Sequence, residues 1–185
     1  KVQSLLTLHT VGGTNQTMLR ELSAADHESL RSWSIRLLTD DWPLDDALGA
    51  SSGNEADRKR VMTQADELIP HLIAMARHDP SALVRLSLAS TLQRLPLAFR
   101  PKLAKALVQH EEDIADHNLP LMIWYGLIPV ANQNPAALLD VAKSCKLPKT
   151  LALISRCITE EVDAFPNALD ELLTHAANQE RNYLR

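Results

Sequence analysis

Two stretches of this chain repeat one another. Asp26-His27-Glu28-Ser29-Leu30-Arg31-Ser32-Trp33-Ser34-Ile35-Arg36-Leu37-Leu38 aligns with the run from Asp79 to Leu92 once one residue is inserted in the second turn. Leu30 then matches Val84, Arg31 matches Arg85, Ile35 matches Ala89 and Leu38 matches Leu92. A repeated amphipathic unit constrains a fold more than any single residue does. One such unit cannot bury its apolar stripe alone, so copies must stack and share a core. The two arginines are 54 residues apart, longer than a helical-pair repeat of about 40 to 47 residues. The excess is about the size of an irregular stretch at 41–54, which holds two of the five Gly.

Helical periodicity fills the rest of the chain. Apolar positions predict helices over residues 2–9, 18–22, 26–38, 55–78, 83–95, 101–108, 118–132, 135–141, 151–162 and 167–178. Gly12-Gly13 stops the first, and Thr14 and Asn118 stand where N-caps belong. The ten Pro fall mostly at the junctions, with Pro70 inside the long fourth helix as a possible bend. No segment alternates as a strand does. Only seven aromatic residues are present, two Phe, two Tyr and three Trp, so the core must be aliphatic. Apolar residues make up 45% of the chain, enough to offset ordering entropy and exclude intrinsic disorder as the main state.

The pattern resembles HEAT repeats. Leu68-Ile69-Pro70-His71-Leu72, followed by Asp79, Val84-Arg85 and Ala89, carries it most clearly: Pro in a first helix, Asp in the turn, Val-Arg opening the second helix. The resemblance implies an all-α, HEAT-like α-solenoid of about four stacked antiparallel helix pairs, at 14–40, 55–95, 99–132 and 135–162. Residues 1–11 and 163–180 form half-repeats at the ends, and residues 1–185 form a single domain. Asp26, Arg31, Asp79, Arg85, Asp116 and Asn118 are the expected structural repeat positions. Each turn Asp accepts from backbone N–H groups of the helix that follows. Each repeated Arg reaches an Asp of its own or the adjacent turn, forming a polar ladder. Pro120 and Leu121 stand where a third Arg would be. In HEAT arrays the second helix of each pair lines the concave surface, so Arg36, Arg94 and Arg156 become candidate partner-binding residues. Trp42, between Asp40-Asp41 and Pro43, joins them as a residue that either anchors its loop or meets a neighbouring domain.

A narrower resemblance rests on two stretches. Leu5-Leu6-Thr7-Leu8-His9-Thr10-Val11-Gly12-Gly13 precedes the Arg31–Leu38 helix. Further on comes Asp116-His117-Asn118-Leu119-Pro120-Leu121-Met122-Ile123-Trp124-Tyr125-Gly126-Leu127. Together they resemble the HEAT-repeat segment of the large haem-binding, membrane-bound dehydrogenase-like proteins of planctomycete-type bacteria. In that family the segment lies between a sorbosone-dehydrogenase-like β-propeller and a C-terminal cytochrome c domain. The resemblance implies an exported, redox-linked parent, periplasmic or membrane-associated, with haem on another domain. The chain opens without Met inside an apolar periodic segment, and is read as a piece of a longer protein.

Chemistry-bearing clusters are sparse. There is no His-Glu-x-x-His and no Cys-x-x-Cys, hence no haem-attachment motif. His110-Glu111-Glu112-Asp113 with Asp116-His117 is the densest set of potential metal ligands, but acids in a turn before a helix also serve as solvated caps. Cys145 and Cys157 are separated by a turn and about two helical turns, roughly 11 Å of rise, beyond the 7 Å or so that a disulfide allows. A net charge of −4 without a basic run gives no track for a phosphate backbone, and no apolar stretch is long enough to span a bilayer. The leading expectation is a non-catalytic scaffold without metal or cofactor of its own, contacting adjoining domains or another protein. A metal- or haem-associated redox module and a free-standing peptide adaptor are the alternatives.

Overall fold

A computed structural model describes residues 1–45, 55–160 and 166–183. Most of the 41–54 loop and the start of the final half-repeat therefore lie outside the described residues. Among the described residues ten helices follow in order: α1 (Val2–Thr10), α2 (Gln16–Leu22), α3 (Glu28–Leu38), α4 (Glu55–His78), α5 (Ala82–Thr91), α6 (Arg100–Leu107), α7 (Leu119–Ala131), α8 (Pro135–Lys143), α9 (Pro148–Glu160) and α10 (Pro166–Tyr183). A 3-10 turn at Glu111–Asp113 precedes α7. No strand occurs among the described residues. The chain is all-helical, as its periodicity requires.

Local chemistry explains the boundaries. Gly12 adopts φ +74° after α1, a conformation that costs glycine little. Asn15, Ser81 and Asn134 accept from the Met18, Val84 and Ala137 N–H groups and cap α2, α5 and α8. Two expected caps are corrected. Thr14 does not cap α2; its hydroxyl meets His9 Nδ1 at 2.7 Å. Asn118 makes no side-chain cap bond. Pro120 at the second helical position has no N–H to offer it, and Asp116 Oδ1 instead accepts from Asn118 N (2.7 Å) and Leu119 N (2.8 Å). Pro70 lies on the exposed side of α4, which runs through it unbroken.

The helices pack in two rows. α1, α3, α5, α7 and α9 touch one another in succession, and so do α4, α6, α8 and α10. Neighbours in sequence close the layers against each other, as in α2 on α3 and α6 on α7. The core between them is aliphatic: Ile35, Leu72, Leu88, Leu92, Leu103, Ile123 and Leu127 are fully buried. Trp33 and Trp124 are half-buried and pack against this core rather than within it.

Gly126 sets the distance between α5 and α7. A Cβ added there would lie 2.4 Å from Leu92 Cβ, an atom too near its own backbone to swing away. Alanine is the better helix former by about 1 kcal/mol. We nevertheless expect Gly126→Ala to destabilise by about 1–3 kcal/mol, because the two helices must separate. A denaturant melt checks the sign, and a gain in stability would mean that the helices yield freely.

Polar rungs join consecutive turns. Arg31 donates from Nε to Asp79 Oδ2 (2.7 Å) and from Nη2 to Oδ1 (2.9 Å). Its Nη1 donates to the Ala25 and Asp26 carbonyls, both at 2.9 Å. One repeat on, Arg85 donates from Nε to Asp113 Oδ2 (2.6 Å), from Nη2 to Oδ1 (2.7 Å) and from Nη1 to the Asp79 carbonyl (3.0 Å). Each arginine thus reaches the Asp of the following turn, bidentately. The acid in the third turn is Asp113, whereas Asp116 serves α7. No third arginine exists, and there the buried Thr150 hydroxyl donates to the Pro120 carbonyl at 3.1 Å. The even row is joined similarly. His110 Nε2 donates to the Ala76 carbonyl (2.6 Å) and Lys146 N to the Val108 carbonyl (2.8 Å), satisfying acceptors that helix ends leave open.

Burial raises the Asp79 pKa, but the hydrogen bond from Arg31, the one from Ser81 N and the charges of Arg31 and Arg85 outweigh it, so the carboxyl titrates below its ordinary value. A folded value below the unfolded one means that the contribution to stability is complete above about pH 4. It is lost as pH falls through the depressed folded value. We expect Asp79→Asn to be least stable relative to the parent chain at neutral pH, with the gap closing in acid. Urea melts across that range check it, and a gap independent of pH would show that this carboxylate does not titrate with folding.

Candidate functional site

The odd-numbered helices carry a groove of about 510 Å³ at the C-terminal ends of α1, α3 and α5. His9, Trp33, Arg36, Asp40, Ser90 and Arg94 line it. The fold brings two of the expected partner-binding residues, Arg36 and Arg94, to one place. The guanidinium of Arg36 lies 5.2 Å from the centroid of the Trp33 ring, a cation–π contact between side chains one turn apart on α3. Arg94, just beyond α5, donates from Nη1 to the Asp40 (3.1 Å) and Trp42 (2.7 Å) carbonyls. Asp40 stands 4.0 Å from Arg94 Nη2 and 4.0 Å from His9 Nε2.

The other candidates lie elsewhere. Trp42 is 2% exposed; its Nε1 donates to Gln64 Oε1 of α4 at 3.1 Å. Of the two roles weighed for it, anchoring the loop is the one the geometry displays, and the ring offers no surface to a partner. Arg60 of α4 holds the same turn from outside, donating to Asp41 Oδ2 at 2.6 Å. Arg156 sits on the exposed face of α9, paired with Glu160 at 2.7 Å and away from the groove. The Asp26 side chain is exposed, and only its carbonyl joins the Arg31 rung.

One structural residue escaped sequence reasoning. Arg100, 1% exposed, donates from Nε to Leu95 O (2.7 Å), from Nη1 to Gly126 O (3.1 Å) and from Nη2 to Asp45 Oδ2 (2.5 Å). Burial lowers its pKa against the opposing pull of Asp45. It ties the 41–45 turn to the α5–α6 link and to α7. In sequence Arg100-Pro101 reads only as a helix start, since the Asp45 and Gly126 acceptors are remote.

No protein-family profile, curated protein or solved structure matches this chain.

The acidic turn does not assemble as a ligand set. Asp113 is held by Arg85, Asp116 caps α7, and His110 faces Glu112 Oε1 at 2.8 Å through Nδ1 and Ala76 O through Nε2. Among the described residues no group of three or more His, Cys, Asp or Glu is arranged to hold a metal. Cys145 and Cys157 are half-buried and form no disulfide with each other; burial raises the Cys145 pKa, which disfavours the reactive thiolate. Among the described residues no helix is long and apolar enough to cross a membrane.

Proposed function

We propose that this chain is a non-catalytic, HEAT-like α-solenoid of four helix pairs, α2–α3, α4–α5, α6–α7 and α8–α9, with α1 and α10 as end half-repeats. On this reading it is a scaffold that holds adjoining domains, or another protein, along its odd-numbered helices. The supporting observation is the pairing of two-row helix packing with Arg–Asp rungs that link each turn to the next, at Arg31–Asp79 and Arg85–Asp113. Stacking of this kind leaves one row free to present an extended surface. The groove carrying Arg36 and Arg94 lies on that row. The resemblance of the Leu5–Gly13 and Asp116–Leu127 stretches supports a redox-linked parent whose chemistry sits on other domains.

Hydrogen exchange of this chain alone and within the polypeptide of the whole gene tests the reading. Amides of α3 and α5 facing the groove should gain protection in the longer chain. Protection confined to the even-numbered helices, or stoichiometric metal or haem absorbance in this chain by itself, would overturn it.

A further inference from the structure

The groove on α1, α3 and α5 differs in charge from the molecule around it. The chain carries a net −4, yet the groove sets two guanidinium groups against one carboxylate, Asp40. That carboxylate is shared by Arg94 and His9. Arg94 is further engaged with the carbonyls of Asp40 and Trp42. Arg36 differs from both. Its side chain is exposed, and the one contact described for the guanidinium is the face of Trp33. By contrast Arg31, Arg60, Arg85, Arg100 and Arg156 each pair with a carboxylate.

We propose that this groove takes an extended acidic peptide segment, with Arg36 as the anchor for a carboxylate side chain. The inference rests on reading the odd-numbered helices as the docking side and names the partner's chemistry. Stacking on the indole orients the planar guanidinium and leaves its N–H fork for an incoming ligand. A carboxylate satisfies that fork bidentately. Less rotamer freedom then remains to be lost on binding. The groove crosses three successive helices of one row, which suits a chain lying across the stack. A nucleic-acid backbone needs a longer positive track than Arg36 supplies.

The test uses a fluorescein-labelled octapeptide of alternating Glu and Ala, its Gln–Ala and Lys–Ala counterparts and a single-stranded DNA oligonucleotide, read by anisotropy. The glutamate peptide should bind about tenfold or more tighter than the glutamine one, and more weakly as salt rises. Arg36→Ala should remove most of that preference and Arg36→Lys restore only part, since an ammonium lacks the planar fork. Arg156→Ala is the control and should change nothing. Both arginines are exposed, and circular dichroism verifies that the variants remain folded. Equal binding of the glutamate and glutamine peptides, an Arg36→Ala variant no weaker than Arg156→Ala, or tighter binding of the DNA would overturn the proposal. If the peptides fail while the α3 and α5 amides still gain protection in the longer polypeptide, the scaffold reading stands and the acidic occupant falls. If neither effect is seen, both fall.

Discussion

Arg85→Ala is expected to lower stability by about 3–5 kcal/mol. Arg85 and Asp113 are each 2% exposed and joined by two short bonds. Removing the guanidinium strands a carboxylate that water cannot reach, and the remaining rung to the Asp79 carbonyl is lost with it. The reverse deletion is milder. In Asp113→Ala, Arg85 keeps the Asp79 carbonyl, and Glu112, 3.6 Å away, remains as a counter-charge. The Arg31–Asp79 pair is wetter on the arginine side, at 13% exposure, so Arg31→Ala should cost less than Arg85→Ala. Replacing both Arg85 and Asp113 by apolar residues of similar volume should recover much of the loss, because a buried ion pair offsets little beyond its own desolvation. Urea melts of Arg85→Ala, Asp113→Ala and the double-alanine variant form a complete cycle, and the apolar double variant is measured beside them. A loss under about 1 kcal/mol in Arg85→Ala would mean that the rung is hydrated in solution.

Trp42→Ala should cost about 3–5 kcal/mol, the range for truncating a large buried aromatic side chain. The ring is 2% exposed although it belongs to a turn rather than a helix. Contacts around the ring hold that turn in place: Trp42 Nε1 on Gln64, Arg94 on the Trp42 carbonyl, and Arg60 on Asp41, beside the Arg100–Asp45 tie. Trp42→Phe keeps most of the volume and loses only the Gln64 bond, whose acceptor retains Arg60 at 3.1 Å; it should cost about 1 kcal/mol. Guanidinium melts read both variants. Equal, small losses would place the ring outside the core. Arg94 lines the groove and bonds the Trp42 carbonyl, so Trp42→Ala should loosen the wall of the groove opposite Arg36 without touching its anchor.

Most helix boundaries were legible in the sequence because their causes are local. Pro101, Pro120 and Pro135 stand in the first turns of α6, α7 and α8, and Gly12 follows α1. The rungs were legible too, since Arg31 and Arg85 recur at matched positions and each finds an Asp one turn on. The caps of α2 and α7 were misplaced by one or two residues. Competing Thr, Asn and Asp side chains stand together there, and backbone geometry selects among them. The candidate groove was half legible: Arg36 and Arg94 were singled out, but their shared location with Trp33 and His9 was not.

By itself the sequence determined that this chain is helical, aliphatic at its core and punctuated into short helices, because a 3.6-residue period and its stop signals act over short distances. Only the tertiary structure decided which side chains the stacking buries and which it leaves facing water. It drew Trp42 in against α4 while leaving Trp33 half-buried beside Arg36. It chose Asp113 over Asp116 for Arg85, and it gave Arg100 an acceptor 26 residues away in α7. Such contacts depend on the angle and spacing at which helices meet. Those follow from close-packing of the whole core, including the short α5–α7 approach that Gly126 permits.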